Sequence, residues 1–140
     1  MIRFVFDTNT IVSALLFRQS VPRQAFDRAL SSGTILTSEP LVMELSRVLA
    51  LERFDSYVSL EERNEFLEAL ILNSDLVEIT ESVQACRDPD DDRILEVAVN
   101  GAAAYIVTGD SDLLVMNPFR GVEILTPAEL LRPSRSQLSN

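Results

Sequence analysis

Apolar residues along this chain alternate between short unbroken runs and stripes that recur every three or four positions, the signature of buried strands interleaved with amphipathic helices. Phe4, Val5 and Phe6 form an aromatic and β-branched run that predicts a strand buried on both faces, as parallel strands between helix layers are. Ile11, Val12, Leu15 and Leu16 then switch to helical spacing, and Val21, Ala25, Phe26, Ala29 and Leu30 predict a second helix that stops at Gly33. Residues 34–37 predict the second strand. Ser38-Glu39-Pro40 reads as a cap with proline in the first turn, opening a helix whose stripe is Leu41, Leu45, Val48, Leu49 and Glu52. Ser59-Leu60-Glu61-Glu62 predicts another capped helix, running through Phe66, Leu67, Leu70 and Ile71 to Asn73. Later come a strand at residues 76–79, an unpatterned connection at 80–85, a buried helix through Ile94, Leu95, Val97, Ala98 and Val99, strands at 102–107 and 122–125, and a closing helical turn at 127–131. Such alternation predicts a three-layer α/β/α domain over residues 1–131 with a five-stranded, mostly parallel sheet, followed by a polar tail at 132–140.

Composition narrows the chemistry. Of 140 residues none is histidine, and all 12 basic residues are arginine. Ser-His-Asp and Cys-His catalysis, histidine-bound zinc, Schiff bases and lysine-dependent phosphate loops are therefore excluded, and acid–base work falls to carboxylates. The lone Cys86 has no histidine to activate it and reads as a packing residue. The absence of a leader-like N-terminus or a long apolar run predicts a cytoplasmic protein without disulfides or membrane contact. A net charge of −10 argues against a broad surface for duplex nucleic acid but leaves room for a local arginine-lined groove.

The carboxylates cluster at element ends. Asp7 closes the first strand in Asp7-Thr8-Asn9, where ligands sit in open α/β sheets. Asp is also a favoured helix N-cap, so Asp7 alone supports either reading. Glu44 falls on the flank of its helix's apolar stripe, placed either for a half-buried site or for a surface pair with Arg47. Asp88-Pro89-Asp90-Asp91-Asp92 sets four aspartates ahead of the buried helix, more than a cap and the helix dipole require. The strand at 102–107 closes on Thr108-Gly109-Asp110-Ser111-Asp112. If that strand lies beside the first, Asp7 and Asp110 emerge together, and Glu44 and Asp91 close the ring from helices. Two like charges ~4 Å apart cost about 4 kcal/mol at an effective dielectric near 20. With no lysine or histidine to neutralise them, the ring calls for a hard divalent cation, Mg²⁺ or Mn²⁺.

In this order and on these elements, Asp7-Thr8-Asn9, Glu44, Asp88-Pro89-Asp90-Asp91 and Thr108-Gly109-Asp110-Ser111-Asp112 resemble the PIN domain family, above all its toxin components from bacterial and archaeal toxin–antitoxin pairs. The resemblance implies sheet order 3-2-1-4-5 and a metal-dependent endoribonuclease inhibited by a cognate antitoxin. It also implies Asp7, Glu44, Asp91 and Asp110 as catalytic acids and metal ligands, Asp112 as an accessory acid, and Asn9 and Thr108 as supporting groups. Asp91 is favoured as the third acid by its offset from Ala98, with the adjacent Asp92 as the alternative. Arg18, Arg23 and Arg87 lie near the expected crevice as candidate phosphate forks, and each is equally suited to a surface pair. Single-stranded or structured RNA is the implied substrate. A homodimer is expected from the resemblance and from the apolar helices at 21–30 and 66–72. Two rival classes are a non-catalytic PIN-like binding module and an aspartate-based phosphotransfer domain, the latter opposed by the missing lysine.

Overall fold

The computed structural model describes residues 1–132, so the predicted tail lies, apart from Arg132, outside the described residues. In chain order the elements are β1 (Ile2–Phe6), α1 (Thr8–Leu16), α2 (Val21–Ser32), β2 (Gly33–Thr37), α3 (Glu39–Leu49), α4 (Leu60–Leu72), β3 (Ser74–Leu76), α5 (Pro89–Asn100), β4 (Tyr105–Val107), α6 (Ser111–Leu114), β5 (Glu123–Leu125) and α7 (Pro127–Leu130). The five strands form one sheet in the order β3-β2-β1-β4-β5, every pairing parallel. The winding reverses at β1, which pairs with β2 on one side and β4 on the other.

Side-chain alternation along the strands sorts the core into two layers. Phe4, Phe6, Ile35, Val107 and Leu125 face α1, α2, α4 and α7, where Phe6 meets Phe26 edge to face at 5.4 Å. Val5, Leu36, Ile106 and Ile124 face α5 and α6, packing on Ile94, Leu95, Val97 and Leu113. Burial on both faces is why these strands read as continuous apolar runs. Gly33 closes α2 and begins β2 with no loop between, and a Cβ there would lie 2.1 Å from the Ile2 carbonyl oxygen across the pairing. Size, rather than backbone freedom, makes that position glycine.

Several boundaries differ from the sequence reading. α1 spans Thr8–Leu16 where the apolar spacing predicts a helix over residues 10–17, and it starts earlier because Asp7 caps it. α3 ends at Leu49, so Glu52 lies in a turn of 3-10 helix, Glu52–Phe54, instead of on the α3 stripe. β3 occupies Ser74–Leu76, not residues 76–79. Beyond Thr37, its pairing partner β2 turns into α3 at the Ser38 cap, and only the Val77 N–H still reaches the Thr37 carbonyl, at 2.7 Å. β4 is shorter than 102–107 because Ala102 takes a left-handed backbone, φ 52°, as the chain leaves α5.

Away from the strand ends, a buried arginine ties two helices together. Arg63 of α4 is wholly buried, donates to the carbonyls of Leu49 at 3.0 Å and Leu51 at 2.8 Å, and pairs with Asp55. It ties α4 to the end of α3.

Candidate functional site

The carboxyl ends of β1 and β4 meet at Asp7, whose N–H donates to the Val107 carbonyl at 3.3 Å. Its carboxylate does two things at once. Oδ1 accepts the Thr10 N–H at 2.8 Å, capping α1, while Oδ2 accepts the hydroxyl of buried Thr108. The capping and site readings of Asp7 are thus compatible. The Thr108 hydroxyl oxygen also accepts the Asp110 N–H at 2.9 Å, which couples Asp7 to the loop that carries Asp110. Asp110 caps α6, its Oδ1 accepting the Asp112 N–H at 2.9 Å.

Two helices complete the arrangement. Glu44 of α3 is half-buried and accepts the Thr8 hydroxyl at 3.0 Å, so its partner is Thr8 and not Arg47. Asp91, in the first turn of α5, brings a carboxylate oxygen within 4.8 Å of oxygens of Asp110 and Asp112. Asp7, Glu44, Asp91 and Asp110 line one cavity of about 170 Å³, with Thr8 and Asn9 in its wall. A wider groove of about 520 Å³ shares Asp7, Asn9 and Asp110 and runs toward Val21 and Pro127. The structure therefore places the four acids named from sequence around one cavity, with Asp112 beside them. Asn9 is exposed at its rim, whereas Thr8, which the sequence reading passed over, bonds Glu44. A hydroxyl in the first turn of α1 was the available signal.

Asp92 points elsewhere. Its Oδ1 accepts the N–H groups of Ala85 at 3.0 Å and Cys86 at 2.8 Å. Burial raises the Asp92 carboxyl, but these two bonds outweigh that and hold it below the ordinary carboxylate range. Of the three arginines, Arg18 pairs with Glu62 at 3.2 Å and Arg23 with Asp27 at 3.3 Å, both away from the acid cavity. Only Arg87 meets the acids, donating to Asp112 Oδ1 at 3.0 Å. Burial, with Asp92 and Asp91 adding, pushes the Cys86 thiol up to about 12 and keeps it protonated.

Burial, and next the charge of Asp110, push Asp91 from its ordinary 3.8 up to about 7, with Asp88 and Asp112 contributing further. A donor set of carboxylate oxygens that crowds negative charge this far fits a hard divalent cation. The shift also makes stability depend on pH. The folded state holds a proton on Asp91 up to about pH 7 and the unfolded chain only to about 3.8, so metal-free stability should fall as pH rises between these values. Because Asp91 is partly exposed, solvent screening limits the loss to about 1 kcal/mol. Urea unfolding at pH 5 and pH 7.5 in chelator should show this fall in the wild type and a flatter profile in Asp91→Asn.

Comparison with known proteins places this geometry in context. A family model described as PIN domain matches residues 3–112. An uncharacterized protein of Methanocaldococcus jannaschii is 29% identical over 115 residues, covering 81% of this chain and 74% of that one. The fold is similar to DNA-bound VapBC2 from Rickettsia felis, with TM-score 0.62, 12% identity and coverage of 89% of this chain and 98% of the other. It is also similar to DNA-bound VapBC from Salmonella typhimurium, with TM-score 0.61, 17% identity and coverage of 91% and 99%. PAE2754 from Pyrobaculum aerophilum gives TM-score 0.62 at 16% identity, with coverage of 97% and 90%.

Proposed function

This chain belongs to the PIN domain family, and on that premise we propose that it is a Mg²⁺- or Mn²⁺-dependent endoribonuclease acting on single-stranded RNA as the toxin of a toxin–antitoxin pair. The observation that carries the reading is the convergence of Asp7, Glu44, Asp91 and Asp110 on one cavity at the reversal point of the sheet. These four, with Asp112, would hold the ion, since each carboxylate oxygen in use still has a lone pair to offer. When bound, the ion polarises a phosphodiester oxygen and supplies an activated water at neutral pH. The Thr108 hydroxyl and the Thr10 N–H hold Asp7 in orientation, and Thr8 does the same for Glu44. Arg87, at the edge of the acids, is suited to grip a substrate phosphate.

Single strands are favoured as substrate because a net charge of −10 repels the denser charge of a duplex. The two similar structures whose VapBC assemblies are bound to DNA support a partner protein, read here as a cognate antitoxin. Exposed Ile71, Leu72 and Leu76, where α4 runs into β3, support a homodimer. No helix among the described residues is long and apolar enough to cross a membrane, which accords with a cytoplasmic site of action. The test is cleavage of labelled single-stranded RNA by purified protein. We expect activity with Mg²⁺ or Mn²⁺, none with Ca²⁺, whose loose coordination does not impose octahedral geometry, and none in excess chelator. Full activity in chelator would overturn the reading.

A further inference from the structure

Three side chains spaced four residues apart on α5 form a stripe of acceptors that faces neither the core nor the acid cavity. Asp92 Oδ1 takes the N–H groups of Ala85 and Cys86 at 3.0 and 2.8 Å. Glu96 Oε2 takes the Val83 N–H at 3.0 Å. Asn100 Oδ1 takes the N–H groups of Thr80 and Glu81 at 3.0 and 2.9 Å, and its Nδ2 donates to the carbonyls of Glu81 and Glu96 at 2.9 and 2.8 Å. Residues 80–86 contain no helix or strand, so these bonds replace the ladder that the segment lacks. Buried Val83 pins its middle against the α5 side of the core. The segment is thereby a strap laid along α5, and its last fixed point is Cys86.

The chain enters the site directly after Cys86. Arg87 donates to Asp112, Asp88 caps α5 through the Asp90 N–H at 2.9 Å, and Asp91 comes next to Asp110 and Asp112. The turn from strap to helix is closed on one side by the Asp88 cap and on the other by Asp92, which reaches back to Ala85 and Cys86.

We propose that Asp92 is a positioning residue whose carboxylate oxygen clasps the Ala85 and Cys86 amides and so sets the turn that presents Arg87 and Asp91 to the metal-binding acids. The role depends on one acceptor oxygen and not on charge, because a single Oδ1 takes both amides. It rests on the nuclease reading only in that the acids beyond the turn bind a divalent cation. Groups that hold ligands in place typically change metal affinity by about 10- to 100-fold when removed.

The experiment compares wild type, Asp92→Ala, Asp92→Asn and Asp91→Asn. Mn²⁺ affinity is read from the metal-induced shift in melting temperature, and protection of the Ala85 and Cys86 amides from hydrogen exchange without metal. Asp92→Ala should lose protection at both amides and weaken Mn²⁺ binding by about 10- to 100-fold, with RNA cleavage recovering at saturating Mn²⁺. Asp92→Asn, which keeps the acceptor, should stay within about threefold of wild type on both readouts, whereas Asp91→Asn should keep the amides protected and lose Mn²⁺. The proposal is overturned if Asp92→Asn loses Mn²⁺ as severely as Asp91→Asn, which would make Asp92 a ligand. It is equally overturned if Asp92→Ala binds Mn²⁺ like wild type. Should Asp92→Ala fail to fold, Asp92→Ser, whose shorter side chain cannot reach both amides, takes its place with the same supporting and overturning outcomes. A wild type that shows this Mn²⁺ pattern but cuts no RNA would sink the nuclease reading and leave the clasp standing.

Discussion

Replacing Asp7 by asparagine should abolish RNA cleavage, by at least about a hundredfold, while leaving the metal-free fold within about 1 kcal/mol of wild type. The fold survives because Asn caps a helix about as well as Asp, and an asparagine oxygen can still accept the Thr10 N–H. The amide nitrogen would then face Thr108, whose hydroxyl oxygen can accept from it as it already does from Asp110. What Asn cannot supply is an anionic ligand. A ligand that binds only the native state stabilises it by about 2.7 kcal/mol at a hundredfold excess over its dissociation constant. Wild type should gain that from Mn²⁺, and Asp7→Asn should gain much less. Two melts per protein, with and without metal, beside one cleavage assay make the measurement. A variant that cuts RNA at near the wild-type rate with the full Mn²⁺ shift would place the site elsewhere.

Arg63→Met should cost about 3–5 kcal/mol, because it strips the donors from buried carbonyls at the end of α3 while roughly keeping the volume. The Leu49 and Leu51 carbonyls lose bonds of 3.0 and 2.8 Å from a side chain that is itself wholly buried. The ion pair is the lesser part. Asp55 has a side chain 62% exposed and its removal leaves the carbonyl bonds intact, so Asp55→Ala should cost less than Arg63→Met even though it strips the buried guanidinium of its counter-charge. In a chain this size the Arg63 loss corresponds to a fall of roughly 10–15 °C in melting temperature. Urea unfolding of both variants distinguishes the contributions, and equal losses would mean that the pair and not the carbonyl bonds holds α4 in place.

Sequence pattern alone was enough to read the alternating elements, the buried strand before Asp7 and the gathering of acids at element ends. These are local consequences of side-chain period and of cap chemistry, which neighbouring residues express without help from distant ones. Glu44 on a stripe's flank belongs to the same class, since its half-burial comes from helix geometry. Its partner does not, for Thr8 lies 36 residues away and only the packing of α1 on α3 brings the two together.

The choice between Asp91 and Asp92 shows where local pattern runs out. Adjacent helix positions differ by about 100° of rotation, so one aims at Asp110 and the other at the strap, and nothing in the run of aspartates says which. Arg18 and Arg23 sit near the site in sequence yet pair with Glu62 and Asp27, because direction is set by the element each rides on and not by proximity along the chain. Arg63 reads as a solvated charge on an amphipathic helix until α3 ends above it and turns its carbonyls toward the guanidinium. By itself the sequence determined the kinds of elements, their order and the supply of carboxylates, since those depend on interactions within a few residues. Which carboxylates share a cavity, which arginine meets them and which charge is buried depended on pairings between distant segments, and those exist only once β1 lies between β2 and β4.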